Sequence, residues 1–442
     1  MKYTIKDIVT NDLCVGCGIC TSASKSSKMN WNDEGFLVPI LDDSFSENAI
    51  KLCPFNPNPE KEVKDEDVLA DALFPSSKQK DFKMGRFENT YAGFSNEYRK
   101  TSSSGGIATF VFEKLLKDKI VDHLFIVKEI NGTYQYQWFD NFVNIKKISK
   151  TRYIPVTMED LFKEIDSKEG KVAVSGVACF IKAIRLKQHY NPQYKEKIPF
   201  LVGIICGGLK SRFFTDFLAQ SAGIEGKYSK QEYRIKDEKS SASDYSFGAY
   251  NSHKEFHQLK MRTVGDMWGT GLFKANACDF CDDVTTELAD ISLGDAWLPE
   301  YNEEGLGNSV IITRSKLADS LITKGIDNNE LSVKKVTKEK IIQSQNASFK
   351  HRQKALKYRL RKYDYSNLEK RKRFLDNIPF EFKVVQEMRR KTRKNSLVFW
   401  KNNKTVTVFV KKMALDLKKL AKKTKYYHYI QSIKRKLKLK TI

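Results

Sequence analysis

Cys14, Cys17 and Cys20 recur at every third position in CVGCGIC, the spacing at which one short loop offers three thiolates to a single iron–sulfur cubane. Gly16 and Gly18 flank the middle cysteine and let backbone N–H groups approach cluster sulfurs. The bacterial cluster-binding run C-x₂-C-x₂-C-x₃-C-P would continue to a fourth cysteine, but that position is Ser24 and the proline position is Lys25. In two-cluster proteins the fourth cysteine of a run serves the other cluster, so the missing ligand is expected in a distant Cys-Pro. Cys53–Pro54 in KLCPF supplies one.

Counting back from Cys53, the first three positions of a second run are Asp43, Ser46 and Ala49. None is a cysteine, so the second ligand set is missing as a whole while the first is complete. The pattern predicts a ferredoxin-like module with one [4Fe–4S] cluster on Cys14, Cys17, Cys20 and Cys53. Zinc in the same four thiolates is the alternative.

The other four cysteines are Cys179, Cys206, Cys278 and Cys281. Cys179 (SGVAC) and Cys206 (IICGG) each follow an expected strand, and sites in parallel sheets gather beyond the carboxyl ends of strands. The ACDFC pair could complete a second Cys₄ site with them. Two buried structural cysteines and a separate zinc knuckle remain the alternative from spacing alone.

Those cysteines need elements to position them. GIATFVFEKLLKDK has helical spacing, and IVDHLFIV reads as a buried strand. KVAVSG is an expected strand entering the helix ACFIKAIRLKQ; IPFLVGIICGG is another, followed by the helix RFFTDFLAQ. ADISLGDAW and NSVIIT read as further strands, and KLADSLITK as a helix. The alternation predicts an α/β domain with a partly parallel sheet. The expected layout is a ferredoxin-like module over 1–60, a linker over 61–88, an α/β domain over 89–336 and a basic, mainly helical region over 337–442.

The net charge of +24 is concentrated in the tail: residues 345–442 hold 31 Lys/Arg and 6 Asp/Glu, whereas 1–344 hold 47 and 48. Arguments from charge therefore apply to the tail alone. There, Val410, Met413, Leu417 and Leu420, continued by Ile430, Ile433 and Leu437, share one helical face opposite lysines. That profile suits an anionic membrane surface; a Lys-rich hairpin packed on the body is the alternative. Nucleic acid ranks last, since no recognition module accompanies the interleaved Lys/Arg and Tyr. There is no apolar run of spanning length and no secretory signal, so a cytoplasmic location is expected, possible membrane contact being peripheral. Eight cysteines there argue for metal or redox chemistry.

Six segments occur in one order: YAGFSNEYRKTSSSGGIATFVFEKLLKDKIVDHLF, SKTRYIPV, KVAVSGVACFIKAI, IICGGLKSRFF, CDFCDDVTTELADISLGDAW and GNSVIITRS. The set resembles the family of beta subunits of coenzyme F420-reducing hydrogenase and formate dehydrogenase, over about 89–336. The resemblance implies an α/β flavin-binding domain carrying FAD and a nearby [4Fe–4S] cluster, with Cys179, Cys206, Cys278 and Cys281 as its ligands. It implies flavin contacts for Ser103, Ser104, Gly105 and Gly106, which match a Ser-Gly-Gly turn at a helix start. It implies the same for Lys150, Arg152 and Tyr153. Without the resemblance, these read as a capped helix start and a solvated strand edge. Ala178 stands where the family usually has proline before the first of its cysteines.

The resemblance thus implies an iron–sulfur flavoprotein oxidoreductase, fed by ferredoxin or a redox partner protein. Its organic hydride acceptor would be F420-like or a small-molecule or glycan precursor of polysaccharide biosynthesis. The rival readings are an electron-transfer subunit serving a partner enzyme, and a non-enzymatic Cys₄-metal protein using its tail on RNA or membrane. No catalytic acid or base emerges; His253 and His257, an i, i+4 pair, read as surface residues.

Overall fold

One mixed sheet of eight strands organises the protein. The computed structural model describes residues 3–24, 26–42, 45–148, 150–363, 365, 368 and 377–436. In chain order the strands are β1 (Asn89–Ser95), β2 (His123–Ile130), β3 (Thr133–Phe139), β4 (Val172–Val177), β5 (Phe200–Ile204), β6 (Ile291–Asp295), β7 (Ser309–Thr313) and β8 (Leu331–Lys335). Their spatial order is β8-β1-β7-β6-β5-β4-β2-β3. The four inner strands β6, β5, β4 and β2 run parallel. Antiparallel strands close both sides.

The inner strands are continuous apolar runs because both of their faces are covered. Val172, Val174 and Leu201 face one core with the helix α2 (Ala178–Tyr190). Ala173, Phe200, Val202 and Ile291 face the other, with α1 (Ile107–Lys117) and α4 (Lys316–Asp327). Each fully buried Leu, Ile or Phe in these layers contributes about 1.5–3 kcal/mol. The helix α3 (Arg212–Ser221) starts at Ser211, whose Oγ accepts from the Phe213 N–H at 3.1 Å. The expected strand–helix alternation is found. A three-stranded antiparallel sheet of Ser229–Ile235, Ser246–Tyr250 and Phe256–Lys260 lies outside that expectation.

Residues 61–88, expected as a linker, carry regular structure: a helix at Glu66–Leu73 and a small hairpin, Gln79–Asp81 with Gly85–Phe87. Leu69, Phe74, Met84 and Phe87 in this stretch are buried. The C-terminal region is helical, with α5 (Leu356–Lys362), α6 (Phe380–Asn403) and α7 (Val406–Lys436). The helices α6 and α7 pair through a turn at Lys404, which adopts φ of 47°.

The apolar face expected on the tail is rotated. Phe409, Met413, Leu420 and Tyr427 are buried, whereas Val410 is 50% exposed and Leu417 only partly covered. Phe409 takes the inner position because it stacks on Phe273 at 5.0 Å and packs against Phe217 and Trp400. Ile430 and Ile433 are half-buried, and Leu437 lies outside the described residues. The hairpin therefore packs on the body, the second of the two arrangements the sequence allowed. Among the described residues no helix is long and apolar enough to cross a membrane.

Candidate functional site

The register of the parallel strands sets two cysteines level. Val177 of β4 pairs with Ile204 of β5; Cys179 and Cys206 each follow two residues later. Both lie beyond the carboxyl ends of adjacent strands, where parallel sheets place their sites. Cys278 arrives in the short helical turn Asn276–Phe280, and Cys281 caps that turn. All four cysteines line one small cavity.

Donors point at these sulfurs. The Gly208 N–H reaches Cys206 Sγ at 3.2 Å, and the Leu209 N–H reaches Cys278 Sγ at 3.2 Å. Arg352 Nη2 donates to Cys281 Sγ at 2.7 Å, while its Nη1 donates to the Cys206 carbonyl at 2.6 Å. Burial pushes the Cys278 thiol up to about 12. It also raises Cys206, a rise that Arg352 and the Gly208 N–H oppose.

The basic C-terminal region holds the ACDFC turn in place. Asp279, between the two cysteines, is paired with Lys274 at 2.5 Å, His351 at 3.1 Å and Arg393 at 3.2 Å. Burial alone would raise the Asp279 carboxyl, but Lys274, His351 and Arg393 hold it well below the usual range. Arg359 Nε bonds the Asp279 carbonyl at 2.7 Å. Arg352 and His351 come from a π-helical turn, Lys350–Lys354, and all of these side chains are buried. Sequence reasoning missed Arg352, Arg359 and Arg393 because they sit among the 31 Lys/Arg of the tail.

The N-terminal cysteines form a second group against the first. Cys17 and Cys20 are buried, with Cys14 and Cys53 partly covered in the same core. Burial raises Cys20 well above the usual thiol value, and the neighbouring Cys17, Cys14 and Cys53 raise it further. Burial lifts Cys14 to about 11 and Cys17 to about 12, opposed by loop N–H groups of Gly16, and of Ile19 and Gly18, respectively. Gly18 is fixed by contact: at φ of 78°, a Cβ there would lie 2.1 Å from Thr157 Oγ1. The Met158 N–H bonds the Cys17 carbonyl at 2.9 Å, so the loop is docked on the central domain.

The two groups adjoin. Val15, next to Cys14, and Phe55, two residues past Cys53, line the cavity of the other four cysteines. Buried Tyr136 lies within electrostatic reach of both Cys179 and Cys17. None of the eight cysteines is in a disulfide. Among the described residues no three His, Cys, Asp or Glu side chains are grouped to hold one metal ion.

Ser24, at the position of the absent cysteine, donates to Asp42 Oδ2 at 2.5 Å; Ser26 and Ser27 join the same carboxylate. Ala49 is part of the core, Ser46 caps the turn Glu47–Leu52, and Asp43 lies outside the described residues.

The two segments expected at a flavin also meet. The Thr151 N–H donates to Ser103 Oγ at 2.8 Å, joining the serine turn to Lys150–Tyr153. The turn's own groups are engaged within the protein: Gly105 N–H to Ser309 Oγ at 3.1 Å, and Ser104 Oγ to the Asn308 carbonyl at 2.9 Å. Gly105 is required by close approach, since a Cβ there would lie 2.5 Å from the Gly93 carbonyl oxygen. Gly106 is the left-handed residue before α1, whose start lacks a side-chain cap.

Around this turn, Lys150 pairs with Glu232, Arg99 with Glu304 and Arg234 with Asp295. Arg152 lies over the Tyr134 ring at 4.2 Å, and Tyr153 packs against Tyr233 and Trp268. Lys236, which sequence reasoning passed over, donates to the carbonyls of Arg99 and Ser104. No carboxylate pairs with it among the described residues. Burial, then Arg234, Arg99 and Lys150, push its amine down to about 7.

The fold is thus a mixed α/β sheet with two neighbouring groups of buried and half-buried thiols. Comparison with known proteins narrows this. Residues 90–163 match the family model for the N-terminal part, and residues 169–339 that for the C-terminal part, of the coenzyme F420 hydrogenase/dehydrogenase beta subunit. The chain belongs to that family.

A coenzyme F420-dependent sulfite reductase of Methanocaldococcus jannaschii is 20% identical over 334 residues, covering 72% of this chain and 47% of that protein. The chain thus spans about half the length of that relative. The coenzyme F420 hydrogenase subunit beta of Methanosarcina barkeri is 24% identical over 247 residues, 54% of this chain and 78% of that one. One of the subunits of the F420H₂ dehydrogenase of Methanosarcina mazei is 20% identical over 311 residues, 68% and 80% respectively. A solved chain of the F420-reducing [NiFe] hydrogenase complex of Methanosarcina barkeri superposes with a TM-score of 0.49 at 19% identity, over 65% of this chain and 96% of that one.

Proposed function

We propose that the chain is an iron–sulfur oxidoreductase subunit that receives single electrons at its N-terminal module and delivers them within its central domain to a flavin and an organic acceptor. The observation that carries this reading is the set of four cysteines from three segments around one cavity, with Gly208, Leu209 and Arg352 donating to their sulfurs. A mononuclear zinc site would hold thiolates about 2.3 Å from one centre. A cubane meets each thiolate at a different iron, which suits sulfurs arriving from three segments around one cavity. The same reasoning assigns Cys14, Cys17, Cys20 and Cys53 to a first cluster and Cys179, Cys206, Cys278 and Cys281 to a second.

When bound, such clusters supply one-electron transfer and a flavin supplies the exchange between one and two electrons. The chain's own residues do the rest. Val15 and Phe55 supply apolar lining to the second group's cavity, and the buried Tyr136 lies near both groups. Arg352 compensates negative charge at Cys281 and Cys206, and Asp279 with its cations keeps the ACDFC turn in place. For FAD, the fit is to Lys236 and the start of α1: donors of the serine turn are used internally, whereas Lys236 bonds only carbonyls among the described residues, Asp295 being a weaker influence than the cations around it. An anion there would be stabilised by the cation and the helix start. Ser103, Ser104, Gly105, Gly106, Lys150, Arg152 and Tyr153 shape this place.

The relatives named for F420 chemistry favour an F420-like acceptor or a larger redox assembly in which this chain serves a partner enzyme. Eight thiols outside disulfides suit a reducing, cytoplasmic setting. Anaerobic purification with iron, sulfide, zinc and flavin analysis tests the proposal. About eight irons and one FAD per chain are expected; zinc without flavin would overturn it.

A further inference from the structure

The outward face of α7 has no role in the fold or in the sites above. This helix carries ten Lys/Arg and one acid, Asp416. Asp416 is turned inward, bonded to Lys391 at 2.9 Å and Asn395 at 2.6 Å. The outward side is therefore without a carboxylate along the described helix.

Val408, Lys411, Leu415, Lys418, Lys422, Tyr426 and Tyr429 follow one another at steps of three or four, making a single stripe along that side, and all are exposed. Leu415 is 60% exposed and Tyr429 62%. Lys412, Lys419 and Lys425 are exposed beside the stripe.

We propose that this stripe docks the protein on an anionic lipid surface. It lies on the side opposite the one expected from sequence, since the inner face is consumed by α6 and the body. Lysines attract an anionic headgroup layer, and the exposed leucine, valine and tyrosines enter the boundary between headgroups and acyl chains. Tyrosine suits that depth, with an apolar ring and a wet hydroxyl. The helix is already folded on α6, so docking costs little ordering. A nucleic acid would engage the lysines and tyrosines but would leave Val408 and Leu415 against water, which sets it behind lipid. The surface adds location to the chain and is independent of the redox reading.

Flotation of the full chain with phosphatidylglycerol/phosphatidylcholine vesicles, against phosphatidylcholine alone, tests the proposal. The chain is expected to float with the anionic vesicles only, and less at high salt. Each lysine near such a surface is worth about fivefold in partitioning, so K411E/K418E/K422E together should lose about a hundredfold or more. L415S/Y429S should weaken partitioning several-fold and keep the salt dependence. All five side chains are exposed, so an unchanged melting temperature shows that the variants fold. The proposal is overturned if the wild type stays at the bottom, floats equally with neutral vesicles, or is unaffected by both sets. Displacement from vesicles by single-stranded RNA at lower concentration than lipid would overturn it in favour of nucleic acid.

Discussion

Arg352 Nη2 lies 2.7 Å from Cys281 Sγ, and the same guanidinium bonds the carbonyls of Cys206 at 2.6 Å and Asp283 at 2.8 Å. One arginine from beyond the family-matched residues thus ties together two of the loops that bear the second cysteine group. A buried cation beside a thiolate stabilises the more negative state of whatever that thiolate binds.

Replacing Arg352 by Gln should therefore lower one reduction potential and leave the other unchanged. A hydrogen bond to a charged group is worth about 1.5–3 kcal/mol, or roughly 60–130 mV for one electron. A redox titration followed by electron paramagnetic resonance reads this directly. Two unshifted potentials would show that Arg352 is only a packing residue.

Ser24→Cys restores the residue that the cluster-binding run lacks, yet it should not raise the iron content. Ser24 sits with Asp42, Ser26 and Ser27, and Ala49 fills core where a second run would need another cysteine. Iron and sulfide assays on that variant should match the wild type; a gain of about four irons would contradict the placement.

Gly18→Ala should loosen the N-terminal loop. The added Cβ would meet Thr157 Oγ1 at 2.1 Å on a left-handed backbone. Such strain costs about 1–3 kcal/mol or moves the loop off the central domain. Calorimetry should show a melting temperature several degrees lower, on the order of 2–8 °C. An unchanged transition would mean that the docking contact carries little.

The grouping of the cysteines was legible because cysteine motifs are short and local. The spacing of Cys14, Cys17 and Cys20 marks them as one group without the fold, and Cys179 and Cys206 are each placed by the strand before them. Arg352, His351 and Arg393 were not legible: nothing local distinguishes a buried arginine from the solvated ones around it. The face of α7 was misplaced by a fraction of a turn. Val410 and Phe409 are both apolar neighbours, and only the aromatic pocket of Phe217, Phe273 and Trp400 decides which turns inward.

Lys236 gives a pH signature. Its amine is pushed down to about 7 in the fold, against 10.5 for an ordinary lysine. Between these values the unfolded chain binds the extra proton, so this residue makes stability rise with pH across that window. A bound anion favours the charged amine. FAD affinity, measured by fluorescence titration, should therefore fall as pH rises through about 7, and that fall should vanish in Lys236→Met. A pH-independent affinity in the wild type would remove Lys236 from the flavin site.

The central claim is that two separate cysteine groups each hold a cluster. Iron per chain in anaerobically prepared wild type, Cys53→Ser, Cys278→Ser and the double variant tests it most directly. The account predicts about eight, four, four and none; iron unchanged by either single substitution, or lost entirely in both, would contradict it.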